Sequence, residues 1–118
     1  MKRVTLAVLI SAATLLSYCS GDKDETLNPG GNACDGVNAN FAAHVQPILT
    51  TSCATNSSCH GDGSANGPGP LTNYTQAKNA ATQIQSAVTS GRMPKNGSLT
   101  TAQKNTINCW VNAGAPNN

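Results

Sequence analysis

Charge and aromatic rings are both scarce in this chain. Of its 118 residues, 10% are Asp, Glu, Lys or Arg and 3% are Phe, Trp or Tyr. The formal net charge of +2 resides in Lys2 and Arg3, and from Cys19 onward five bases and five acids cancel. No basic footprint remains for nucleic-acid binding. Strand-length alternation of apolar and polar residues is missing, as are internal repeats, which argues against sheet and solenoid architectures. Long hydrophobic runs are missing too. The longest, thirteen residues from Val4 to Leu16, is too short to span a bilayer. Large apolar side chains are sparse as well: a dozen between Phe41 and Asn118, including Ile48, Leu49, Ile84, Val88 and Met93. So thin a core calls for something further at the centre, a cofactor or cross-links.

What is present divides the chain into three parts. Residues 1–19 read as a signal peptide, with Lys2 and Arg3 before the Val4–Leu16 apolar run. It ends in Leu16-Ser17-Tyr18-Cys19, which resembles the lipobox of bacterial lipoproteins and marks Cys19 for lipidation, ordinary cleavage being the alternative. Residues 20–40 read as a flexible tether carrying Asp22, Asp24, Glu25 and the breakers Asn28-Pro29-Gly30-Gly31. Its Asp22-Lys23-Asp24-Glu25 stretch resembles a surface-export address and reads equally as a solvated spacer. Residues 41–118 are the folded domain. The expected location is therefore the cell envelope of a Gram-negative bacterium, lipid-anchored in the periplasm or on the outer-membrane surface.

The folded domain reads as all-α, with three to four helices. Phe41, Val45, Ile48 and Leu49 recur at helical spacing after Asn40, and Pro47 should kink or end that helix. Ala77, Ala81, Ile84 and Val88 mark a second helix closed by Gly91. Thr100-x-x-Gln103 is a capping box opening a final helix with Ile107, Trp110 and Val111 on its apolar face, stopped by Gly114 and Pro116. Between the first two helices lies a loop rich in Gly and Pro, His60 to Asn73.

Five cysteines are an odd number for an oxidising compartment. With Cys19 lipidated, four remain: Cys34, Cys53, Cys59 and Cys109. Cys53 and Cys59 stand in SCATNSSCHGDG, with His60 directly behind the second. A Cys-His pair ends the C-x-x-C-H signature of c-type haem attachment, but here five residues separate the cysteines instead of two. Attachment at Cys53 and Cys59 would leave Cys34 and Cys109 to form one disulfide, and two disulfides would satisfy the count equally. Zinc competes poorly, since no second C-x2–4-C pair exists.

The order Phe41-x-x-x-Val45-x-Pro47-Ile48-Leu49, Cys59-His60-Gly61, Gly91-x-Met93-Pro94 and Leu99-Thr100-x-x-Gln103 through Trp110 resembles a small class I cytochrome c domain over residues 41 to 115. The resemblance implies a fold around one covalent haem c held by Cys53 and Cys59. His60 and Met93 would be the axial iron ligands, His44 the weaker candidate for the sixth position. A carbonyl of Pro68 or Pro70 would orient His60, and Phe41 and Trp110 would meet where the first and last helices cross. The implied function is single-haem electron transfer to redox partner proteins rather than enzymatic turnover. Arg92 and Lys95 would form a basic rim for an acidic partner, or merely a solvated surface. The competing reading is a disulfide-stapled, non-haem lipoprotein module for binding or assembly.

Overall fold

Around Trp110, in a computed structural model describing residues 33–118, the chain packs four helices and a π-helical turn. The leader, Cys19 and most of the tether lie outside the described residues. A π-helical segment, Phe41–Val45, runs directly into α1, Gln46–Ser52; α2 (Tyr74–Asn79), α3 (Ala81–Thr89) and α4 (Thr101–Asn112) follow. Among the described residues no helix is long and apolar enough to cross a membrane.

Local sequence explains most of these boundaries. The N–H groups of Val45 and Gln46 donate five residues back, to Asn40 and Phe41. Pro47 follows at the second position of α1, where a missing N–H costs little. The expected kink is thus a widened turn before the proline, not an early end: α1 continues to Ser52. Asn40 precedes the π segment without a side-chain cap bond. The expected second helix is two. α2 starts at Asn73, whose side chain accepts from the Gln76 N–H, and stops at Ala80, which leaves helical geometry before α3 begins. Gly91 ends α3 with φ +70°, a conformation glycine adopts without strain. The capping box on α4 is formed in both directions: Gln103 N–H donates to Thr100 Oγ1 (3.2 Å), and Thr100 N–H donates to Gln103 Oε1 (2.9 Å).

The core gathers the apolar faces of these elements. Val45, Leu49, Val88, Ile107 and Trp110 are essentially solvent-free, and Ala77, Ala80 and Ala81 are buried where α2 gives way to α3. Phe41 packs tilted against Trp110, ring centres 5.4 Å apart, and meets the Tyr74 ring edge-on at 5.1 Å. Met93 is only half buried and Val111 packs at the margin, so both fall short of the core positions their apolarity suggested. The C-terminal tail folds back beneath Trp110. Its indole N–H donates to the Pro116 carbonyl (2.9 Å), and the Phe41 N–H donates to Asn118 Oδ1 (2.8 Å).

A disulfide joins Cys34 to Cys109 across 75 positions, tying the segment before the π turn to α4. Chain-entropy arguments assign a loop of that length about 4 kcal/mol. Replacing both cysteines with serine should therefore lower the unfolding free energy by roughly that amount, read as a reduced midpoint in urea with an unchanged secondary-structure signal. Trp110→Ala should cost about 3–5 kcal/mol by the same measurement, since it removes the ring on which Phe41 rests.

Candidate functional site

A cleft of about 910 Å³ opens where α1 ends, bounded by the 53–60 turn, α3 and the 92–98 loop. Its construction starts at Cys53, which follows the last residue of α1 and donates its N–H to the Leu49 carbonyl at 2.9 Å. The chain then doubles back through Asn56, whose backbone carbonyl accepts from Cys59 and Gly61 at 3.0 and 2.8 Å. The Asn56 side chain accepts from Ser58 and Cys59 at 2.9 and 3.2 Å. The turn closes where the His60 N–H donates to the Cys53 carbonyl at 2.9 Å. A side chain at Gly61 would strike the Asn56 backbone at 2.6 Å, so only glycine lets the two ends of the turn meet.

The five residues between the cysteines, 54–58, are not a slack connection. They are a specific turn organised by Asn56, and the signal was an asparagine three residues before Cys59, a position from which its side chain reaches backbone N–H groups ahead of it. The His60 ring Nδ1 lies 3.0 Å from the Gly69 carbonyl. A carbonyl only accepts, so Nδ1 carries a proton and donates it to Gly69. The carbonyl orienting the ring belongs to Gly69, not to Pro68 or Pro70. His44, on the π turn, is half buried with its Nδ1 buried and unpartnered.

One wall of the cleft is apolar, formed by Leu71, Ile84, Ala87, Val88 and Met93. The Met93 N–H donates to the Ala87 carbonyl at 3.2 Å, which folds the loop after Gly91 against α3. Arg92 and Lys95 lie exposed at the rim, and among the described residues no acidic side chain lines the cleft. The cleft thus brings together Cys53, Cys59, His60 and Met93, which the sequence had singled out, with Arg92 and Lys95. It leaves out His44, Cys34 and Cys109; a shallower depression flanks the disulfide.

The two cleft thiols differ in character. Cys53 is buried and its pKa is pushed up from 9.0 to about 11, first by burial and then by the neighbouring Cys59. Cys59 is half exposed.

The reading as a c-type cytochrome with one haem c on Cys53 and Cys59, and with His60 and Met93 on its iron, is corrected by this geometry. Among the described residues no group of three or more His, Cys, Asp and Glu side chains is placed to hold a metal ion. The five-residue gap is taken up by a turn hydrogen-bonded to itself, whereas the attachment signature has two residues there. Haem, iron and electron transfer are withdrawn with it. What stands is a compact all-α module carrying the Cys34–Cys109 disulfide. No family model matches the chain, and no curated protein or solved structure matches it either.

Burial of Cys53 has a pH consequence. Between about pH 9 and 11 the unfolded thiol releases its proton while the folded one retains it, so stability falls as pH rises through that window. Cys53→Ser should flatten this slope in urea titrations run from pH 8 to 11. At pH 8, iodoacetamide should label Cys59 well before Cys53 in the folded protein, with the difference lost in denaturant, as peptide mass mapping would read.

Proposed function

We propose that the chain is an exported, lipid-anchored binding module, stapled by Cys34–Cys109, whose cleft takes a small ligand with an apolar body. The observation that carries this reading is the cleft itself. Its volume of about 910 Å³ falls in the range of small-molecule sites, and it combines an apolar wall with a few convergent polar groups. The wall formed by Leu71, Ile84, Ala87 and Val88 would bury the ligand's apolar surface. Arg92 and Lys95 at the rim suit a ligand carrying a negative group at one end. The signal-peptide pattern and Leu16-Ser17-Tyr18-Cys19 support attachment of the mature chain through lipidated Cys19. The acidic stretch after it would hold the domain away from the membrane surface. No catalytic chemistry is assigned to the cleft.

The decisive experiment starts from the full chain exported by a Gram-negative host. Titration with apolar and amphiphilic anionic dyes should give saturable one-to-one binding. Ala87→Trp should weaken that binding tenfold or more, because the ring fills the cleft from the half-buried face of α3 while the core behind it is untouched. Intact mass under denaturing conditions, with a visible absorption spectrum, is the second arm. A permanent coloured adduct on Cys53 and Cys59 would overturn the reading, as would dye binding that Ala87→Trp leaves unchanged. A mass increment on Cys19 matching acyl chains tests the anchor; cleavage elsewhere sinks it.

A further inference from the structure

We propose that Cys53 and Cys59 form a reversible intramolecular disulfide, so that the turn at the mouth of α1 is a thiol–disulfide switch on the cleft. The backbone supplies the first argument. The 2.9 Å bond from the His60 N–H to the Cys53 carbonyl leaves only two covalent bonds between each end of that hydrogen bond and the Cα atoms of Cys53 and Cys59. With each two-bond leg spanning about 2.4 Å, the Cα atoms lie within about 8 Å of each other even if the path ran straight. Ordinary bending at the carbonyl brings that separation toward the roughly 4.4–6.8 Å in which disulfides form.

The turn is also fixed beforehand. Asn56 accepts four hydrogen bonds from the residues that follow it, and Gly61 sits against its backbone. Closing the disulfide therefore orders little that is not already ordered. Both side chains line the same cleft, and Cys59 stands among the groups that, after burial, push the Cys53 thiol up. The remaining cysteines in the described part are already paired with each other.

Half-exposed Cys59 is the entry point. Its thiolate attacks a sulfur of a donor disulfide, such as an oxidised dithiol protein or glutathione disulfide, and one donor thiolate leaves. The Cys53 thiol then loses its proton to water and displaces the second donor thiolate from the Cys59 sulfur. In sum, two protein thiols are oxidised to one disulfide, and one donor disulfide is reduced to two thiols. An added dithiol reductant reverses the exchange. Closing the pair removes two thiols from the cleft and pins its floor, which changes what the cleft admits. This last consequence rests on the cleft being a binding site, whereas the switch itself does not.

The test equilibrates the full exported chain in glutathione buffers spanning reducing to oxidising ratios, quenches in acid and alkylates. Peptide mass mapping then counts the labels. The expected result is a concerted loss of both labels from the Cys53 and Cys59 peptides with a single midpoint, while the Cys34–Cys109 peptides stay linked. In Cys53→Ser, Cys59 should instead accumulate one glutathione. Both thiols remaining alkylatable at every ratio, two glutathiones accumulating on the native protein, or a permanent adduct on the sulfurs would each overturn the switch. Dye titration of the open and closed forms should show a severalfold difference in dissociation constant. Equal constants would remove the link to the cleft. No dye binding in either form would sink the binding reading, while the label count still decides the switch.

Discussion

Everything in the domain hangs on Trp110. Its ring receives Phe41 from the π-helical turn, and through Phe41 the edge of Tyr74 from α2. Its indole N–H holds Pro116, and its carbonyl accepts from the Ala115 N–H at 2.9 Å. Ala115 in turn accepts from the Tyr74 hydroxyl, and Asn118 accepts from the backbone of Phe41 and Ala42. In a chain so poor in aromatic residues, one indole thus joins both ends of the domain to its middle. A buried indole needs a partner for its N–H, and the tail meets that need by turning back.

That economy has a cost on the opposite side. The apolar residues that pack on Trp110 do not extend to fill the space between the end of α1 and the loop after α3. Ile84 and Val88 therefore belong to both the core and the cleft wall. The sparse core seen in the sequence and the large cleft are one fact. The disulfide relieves the resulting shortage of packing from the far side, by restricting the unfolded chain rather than by filling space.

The helices were legible where short-range chemistry decides. Thr100 and Gln103 specify the start of α4 because each side chain reaches a backbone group three residues away. The Ile107 and Trp110 spacing puts both on one face. The break at Ala80 was not legible, because Ala77, Ala81 and Ile84 keep helical spacing across it and alanine resists no helix. The π turn was half legible: Pro47 announced a disturbance but not that the turn before it would absorb the change.

The candidate site was legible as residues and misread as chemistry. Cys53, Cys59, His60 and Met93 stood out by type and order, and the cleft does gather them. Sequence alone determined the helical class, the cap of α4, the polarity of the cleft's contributors and the number of cysteines to be accounted for. Each of these follows from side-chain type or from contacts a few residues long. Only the tertiary structure decided that Cys34 lies beside Cys109, that Gly69 orients His60, and that the five residues after Cys53 form a closed turn around Asn56. Cys34 and Cys109 stand 75 positions apart, and the cysteine count left their pairing open until packing brought them together. The Gly69 contact and the Asn56 turn hang instead on the backbone path of residues 53–69, which residue types alone do not fix.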